Sequence, residues 1–259
     1  MKLTFLGTGT SFGVPQLGCS CAVCQSSDPR DKRNRVGAVV ESDGGTRVLI
    51  DTPTELRLQL IAAGIDRLDG VLYTHDHADH THGIDDLRAI TIRRTSPLPV
   101  YGSAETVAVL AQKFNYIFDD SVRPLPGTSK PEIRAHVIKA GVPFRIGDID
   151  ITPVAVPHGN TEVFGYRLGP LAYVTDAKSI PPEAVRLLRG ARVLVINALF
   201  RRQHPTHLSI PEALAAAAEI GAERTYLTHL SHDNSHAALE AELPPGIAPA
   251  FDGLTVRID

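Results

Sequence analysis

The sequence predicts an α+β fold in which two mixed β-sheets pack face to face with helices on the outer faces. Both halves of the 259-residue chain contain short apolar strands followed by helical patterns. From Glu132 to Tyr173 apolar residues recur at period two, as half-buried strands require. Four short apolar runs each lead into a His or Asp: Val71–Tyr73 before His75, Val154–Val156 before His158, Ala172–Val174 before Asp176, and Tyr226-Leu227 before His229. Loops leaving one edge of a rigid sheet can bring such distant side chains together. With 43% hydrophobic residues the chain can bury a large core, and one domain over residues 1–259 is expected.

The elements follow in order. Lys2–Leu6 reads as a strand, after which the chain to about Arg35 has no period of either kind; so long a loop is expected to be functional or pinned. Val36–Val40 and Arg47–Ile50 read as paired strands around the turn signal Asp43-Gly44-Gly45. Thr52–Ala63 reads as a helix closed by Gly64, Val71–Tyr73 as a buried strand. Helical patterns over 80–92 and Ala104–Asn115 flank a strand at Leu98–Tyr101. Strands are expected at Ile133–Ile138, Phe144–Ile146, Ile149–Val156, Glu162–Leu168 and Leu171–Val174. Pro181–Leu188 is a helix, Val193–Ile196 a strand, Ile210–Ile220 a helix and Thr225–Leu227 a strand, with the final strands inside 247–258.

Composition excludes several classes. A net charge of −3 with 21% charged residues gives no drive toward nucleic acid or an anionic membrane, so neither is expected as a stable partner. Met1–Pro15 is broken by Gly7, Gly9 and Gly13 and holds no apolar core of a secretory signal; no run approaches the ~20 residues of a membrane span. A cytoplasmic location is the expectation, and a homodimer is the prior for a soluble protein. Cys19, Cys21 and Cys24 are the three cysteines, and an odd, tight cluster is a poor disulfide framework, so metal ligation is the better reading.

The strongest motif is Thr74-His75-Asp76-His77-Ala78-Asp79-His80. Imidazole and carboxylate donors suit Zn, Fe or Mn, and one ion would not take so many from so short a segment; two ions explain the density. His158, Asp176 and His229 are weak singly and gain weight from recurring at strand ends.

These segments resemble the metallo-β-lactamase superfamily over nearly the whole chain. The matching residues are Leu6-Gly7-Thr8-Gly9-Thr10, Leu49-Ile50-Asp51, His75 to His80, His158, Thr175-Asp176, Thr228-His229 and Phe251-Asp252-Gly253. Within it, Gly18-Cys19-Ser20-Cys21-Ala22-Val23-Cys24 and Leu227-Thr228-His229-Leu230-Ser231-His232 look like the PhnP phosphodiesterases. The resemblance implies an αββα sandwich and a dinuclear site. It assigns one ion to His75, His77 and His158, a second to Asp79, His80 and His229, and Asp176 as the bridge. Asp51 is implied to orient the metal-binding loop rather than bind metal. Three thiolates with His232 as fourth ligand make a closed structural zinc site within a loop at about 12–35.

His207, in His204-Pro205-Thr206-His207-Leu208-Ser209, matches the family's non-ligand His and is the candidate general acid, because an imidazole of pKa about 6.5 can protonate a leaving alkoxide at neutral pH. Asp79 is counted with it among the catalytic residues. Asn197 departs from related sequences that carry an acid in this region, which puts any carboxylate partner there in doubt. His82, His136, His204 and His236 are expected at surface or packing positions, and Arg30, Lys32, Arg33 and Arg35 on a solvated loop.

The expected function is hydrolysis of a small phosphodiester, such as a ribosyl 1,2-cyclic phosphate, by a hydroxide activated by two Mn or Zn ions, with Fe as a further option. tRNA 3′-end processing and thioester or lactone hydrolysis are the rival reactions; no Gly-rich or basic arm for tRNA is apparent. A metal-binding or redox-sensing module is the alternative outside enzymes.

Overall fold

In a computed structural model, which describes residues 1–259, the chain forms fourteen strands in two seven-stranded sheets. They are β1 (Lys2–Gly7), β2 (Gly37–Glu41), β3 (Arg47–Ile50), β4 (Gly70–Leu72), β5 (Leu98–Gly102), β6 (Ile133–Val137), β7 (Phe144–Ile146), β8 (Ile149–His158), β9 (Thr161–Leu168), β10 (Leu171–Val174), β11 (Val193–Asn197), β12 (Arg224–Thr228), β13 (Ile247–Pro249) and β14 (Thr255–Arg257). The sheet orders are β14-β1-β2-β3-β4-β5-β6 and β13-β12-β11-β10-β9-β8-β7. The last strand therefore returns to pair with the first, a long-range closure that strand periodicity does not reveal.

Each sheet has an antiparallel part and a parallel part. β14, β1, β2 and β3 pair antiparallel, whereas β3, β4, β5 and β6 run parallel. β7, β8, β9 and β10 are antiparallel, and β10, β11, β12 and β13 parallel. Parallel strands discharge their C-terminal ends on one edge, where loops from successive crossovers meet.

Alternation decides the layers. In β3, Val48 and Ile50 face the cluster between the sheets, while Leu49 faces the helices outside. In β11, Val193 and Val195 point inward, and Leu194 and Ile196 pack toward the helices Pro182–Leu188 and Ile210–Ile220. Three apolar clusters thus separate four layers. Helix Ile210–Ile220 begins with a capping box between Ser209 and Glu212 and ends at left-handed Gly221, so its predicted bounds coincide with its structural ones.

Three local expectations need correction. The helical pattern over 80–92 is broken into Ala78–Thr81, a 3-10 turn at Ile84–Leu87, and Arg88–Thr91. Here Thr52 N donates to His80 O and Gly83 N to Thr52 O, so the backbone bonds to a neighbouring loop instead of to its own helix. Gly83 sits so close that an added Cβ would lie 2.1 Å from Pro53 O. The helix expected from Thr52 starts only at Leu56, because Thr52 and Pro53 serve that same contact. A seven-residue helix, His236–Glu242, capped by Ser235, has too short a period to read in the sequence.

The basic run is not a solvated loop. The Arg33 side chain is fully buried, donates to Ser231 O (2.9 Å) and Asn234 O (2.8 Å), and pairs with Asp31 at 3.3 Å. Asp31 Oδ1 in turn accepts from His236 N (2.7 Å). Arg30 pairs with Asp28 and Glu240, Lys32 donates to Cys24 O, and Arg35 pairs with Glu55. The run ties the N-terminal loop to residues 231–240.

Buried Asn197 performs a similar task at the end of β11: its Oδ1 accepts from Ala177 N (2.8 Å) and its Nδ2 donates to Ala177 O (3.0 Å). An acid could not donate in this way, which resolves why an amide stands there. Asn197→Ala strands two backbone groups and is expected to lower stability by about 1 to 3 kcal/mol in urea unfolding, with Asn197→Asp also destabilising; an unchanged midpoint for both would remove this role.

Candidate metal centre

The parallel edges of the two sheets supply the site. β3 leads into Asp51, β10 into Thr175-Asp176 and β12 into His229, and Asp51, Asp176 and His229 are all left-handed without being glycine, with φ of 62°, 59° and 57°. Such backbone costs roughly 1 to 3 kcal/mol per residue and marks places where surrounding structure imposes a sharp turn. β4 delivers Thr74 and His75, after which the turn Ala78–Thr81 carries Asp79 and His80; β8 ends at His158 itself.

Here the donor atoms meet. Those of His75, His77 and His158 lie within 4.8 Å of one another, as do those of Asp79, His80 and His229, and those of His75, His80 and Asp176. Asp176 Oδ2 lies 3.4 Å from His80 Nε2 and Oδ1 lies 3.4 Å from His229 Nε2. Asp176 also groups with His158 and His207, which places its carboxylate against both sets. All seven predicted dinuclear ligands are therefore in one place.

Their remaining hydrogen bonds orient them. His80 Nδ1 donates to Asp51 Oδ2 (2.8 Å), and Asp51 also accepts from Thr74 N and Thr74 Oγ1, both at 2.8 Å. His158 Nδ1 donates to Thr206 O (3.0 Å). In both rings Nε2 is left as the free donor atom. The Nε2 atoms of His75, His80 and His229 are buried with no hydrogen-bond partner.

Electrostatics favours the ligating forms. Burial pushes the Asp176 carboxyl up, but His229, His80, His75 and His207 outweigh it and hold it well below the usual carboxylate range. Burial, then His80, holds His75 well below the usual imidazole range. Burial also acts to depress His80, yet Asp176, Asp51 and Asp79 together raise it. The carboxylates thus call for positive charge at His80 Nε2, which a divalent cation satisfies as well as a proton. Unpartnered buried nitrogens around ionised oxygens fit divalent metal.

The second cluster gathers Cys19, Cys21, Cys24 and His232. His232 Nδ1 lies 3.2, 3.5 and 3.6 Å from the three Sγ atoms. Tetrahedral zinc with the usual Zn–S and Zn–N lengths would put sulfur and nitrogen about 3.5 Å apart. The Cys24 N–H leads the lowering of the Cys21 thiol to about 6, whereas burial drives Cys24 up to about 11. One thiolate is thus available at neutral pH before any ion binds.

His207 lies beside the first cluster, its Nδ1 3.6 Å from Asp176 Oδ1, too long for a hydrogen bond, and its ring stacked on His229 at 4.7 Å. Burial first, then His229, lowers it to about 3. It is therefore neutral at pH 7 in this environment, not about one-quarter protonated as the free side chain would be. His204, expected at a surface or packing position, lies 5.3 Å from the His207 ring, and both line a cavity of about 240 Å³ together with His229, Phe12, Gln16, Phe200 and Ser231. These loop residues carry no period or motif that would single them out. His136 stacks on Tyr101, while His82 meets Phe114 and His236 meets Phe251 edge to face, so those three pack as expected.

Removing the Asp51 brace tests this geometry. Asp51→Ala is expected to weaken metal binding about 10- to 100-fold in a competition titration with a chelating dye, and wild-type affinity would dismiss the brace.

Comparison with known proteins places the chain. The family described as "Beta-lactamase superfamily domain" matches residues 46–230. An octanoyltransferase of Porphyromonas gingivalis is 40% identical over 264 residues, covering 100% of this chain but only 52% of its own length, so the chain spans about half of that relative. A ribonuclease Z of a Bradyrhizobium species is 29% identical, with 95% of this chain and 100% of that protein covered. The crystal structure of a diphosphatase of the PhnP family is 39% identical with a TM-score of 0.91, covering 100% of this chain and 98% of that one. Its sandwich fold and helix-flanked sheets are those described above. With its strand-edge histidines and carboxylates, this chain belongs to the β-lactamase superfamily and, within it, to the PhnP family.

Proposed function

We propose that the chain hydrolyses a small cyclic phosphodiester with two divalent cations of the Mn or Zn type, or Fe. One would be held by His75, His77 and His158 and the other by Asp79, His80 and His229, with the Asp176 carboxylate facing both sets. The observation that carries this reading is the set of buried, unpartnered Nε2 atoms of His75, His80 and His229 around the ionised Asp176 carboxylate. Each such orphan would cost about 1 to 3 kcal/mol if nothing filled the space. When bound, the ions supply a nucleophile at neutral pH and offset charge on the phosphoryl oxygens.

The chain's own residues contribute orientation and a proton. Asp51 and Thr206 O fix the rings of His80 and His158, so the donors need no reorganisation. His207, with an unpartnered Nδ1 beside Asp176, donates the proton that the leaving oxygen takes. Burial keeps its imidazole neutral in the resting site, and the anionic diester raises its proton affinity on arrival, so proton and substrate enter together. Asp79 would hold its ion from the turn that also carries His80.

Cys19, Cys21, Cys24 and His232 are assigned a structural zinc. Four protein ligands leave no open position for chemistry, and the centre ties the N-terminal loop to the segment three residues beyond His229.

The 39% identical diphosphatase supports a second reading, cleavage of a P–O–P linkage by the same groups. The ribonuclease Z alignment runs over 312 positions against 259 residues here, so that relative carries segments this chain lacks, which favours a small substrate over tRNA.

Metal analysis beside a panel of bis(p-nitrophenyl) phosphate, cyclic nucleotides, a diphosphate ester, tRNA precursor, lactone and thioester tests the reading; turnover of only the last two would reject it. His207→Ala is expected to lower turnover about 10²- to 10⁴-fold with metal content retained, and full turnover would end its acid role. Cys21→Ser is expected to lose one zinc per chain and unfold at lower temperature. An unchanged zinc count would eliminate the structural centre.

A further inference from the structure

From Pro15 to Cys24 the chain crosses the surface with almost nothing to pack against: only Cys24 is buried, and Leu17 is 98% exposed. Apolar burial cannot hold such a segment, and the cluster at its end does so instead. Gln16 N donates to Cys24 Sγ (3.3 Å), Cys19 N to Gln16 O (3.0 Å) and Lys32 Nζ to Cys24 O (3.1 Å), and His232 Nδ1 stands 3.2 to 3.6 Å from all three Sγ atoms. Gln16 and His232 in turn wall the cavity that Phe12, His207 and His229 share.

The three thiols differ in access. Cys19 and Cys21 are partly exposed, whereas Cys24 is only 5% exposed. A turn closed by Gln25 N on Cys21 O (3.0 Å) brings Cys24 back toward Cys21, and the Cys24 N–H donates to Cys21 Sγ (3.4 Å). An open sulfur three positions from a sheltered one is an arrangement in which the second resolves oxidation of the first. Met1 is the one methionine and there is no tryptophan, so the cysteines are the chief soft targets for an oxidant.

We propose that Cys21 and Cys24 form a reversible oxidation site for hydrogen peroxide, and that closing a disulfide between them expels the zinc and unseats one wall of the hydrolytic cavity. The proposal rests on the structural-zinc and hydrolase readings above. Cys21 Sγ attacks a peroxide oxygen: an S–O bond forms, the O–O bond breaks, and the departing oxygen takes a proton and leaves as water. Cys24 Sγ then attacks Cys21 Sγ: an S–S bond forms, the S–O bond breaks, and that oxygen leaves with a second proton as another water. Two electrons pass from the two sulfurs to the peroxide. Zinc keeps only Cys19 and His232 of its four ligands and leaves. The bonds from Leu230 N to Thr8 O and from Arg33 to Ser231 O involve no thiol, so the strand-edge ligands stay in place while the Gln16 and Phe12 side of the cavity opens.

The test exposes the full chain, reduced and zinc-loaded, to hydrogen peroxide that catalase then removes. The expected results are release of one zinc per chain to a chelating dye, Cys21 and Cys24 protected from alkylation with Cys19 still reactive, and new thermolysin cleavage within residues 15–24. KM for bis(p-nitrophenyl) phosphate should rise about tenfold with kcat little changed. Dithiothreitol with added zinc should reverse every one of these changes. Zinc retained by the oxidised chain, a linkage through Cys19, oxidation that dithiothreitol does not reverse, or an unchanged KM after zinc release would overturn the proposal. If the reduced chain holds no cysteine-bound zinc, the structural assignment fails by itself; a reversible Cys21–Cys24 linkage that opens the segment to thermolysin then still supports the oxidation site, and its absence refutes it. If even the reduced chain does not cleave the ester, the hydrolase reading fails, and linkage, zinc release and proteolysis decide alone.

Discussion

A carboxylate only 2% exposed, facing the rings of His80, His229, His75 and His207, sets the terms for everything around Asp176. Burying an ionised oxygen is tolerable only when positive charge or hydrogen bonds meet it, and Asp176 has one hydroxyl donor, Thr175 Oγ1 at 2.6 Å. The balance comes from imidazoles whose own burial works against protonation. A site built this way is unfavourable for an uncharged interior and favourable for cations, so the cost of assembling it is returned when metal binds.

The sheets hold that arrangement against its own repulsion. Asp51, Asp176 and His229 each follow closely on a parallel strand in left-handed backbone, and none is a glycine. Strain at three such positions persists because the strands before them are fixed by ladder hydrogen bonds and by apolar clusters on both faces. Asn197, paired with both polar groups of Ala177, fixes the residue immediately after Asp176. The stiffness of the edge is thus what allows ligands from four separate segments to share a few ångströms.

The N-terminal loop belongs to the same construction. Leu230 N donates to Thr8 O, and buried Arg33 clasps Ser231 O and Asn234 O, while His232 reaches the three thiols. The segment from His229 to His232 therefore faces one cluster at its start and the other at its end. A disturbance at the cysteines has only three residues to travel before it meets the centre containing Asp176, and the cavity between them is walled by both.

Much of this was legible in the chain itself. The fold class followed from alternation and strand–helix order, and His75, His77, Asp79 and His80 announced themselves because four donors within six residues are a local signal. His158, Asp176 and His229 were legible through the apolar strands that precede them. Other features were decided by the tertiary structure alone: the return of β14 to β1, the break of the 80–92 pattern at Gly83, the burial of Arg33, and the presence of Phe12 and Phe200 on one cavity. The physical reason is range. Periodicity and donor chemistry are properties of a few neighbouring residues, whereas burial, pairing and the lowered proton affinity of His207 arise from atoms brought together across the chain by sheet register and close packing, which no short segment contains.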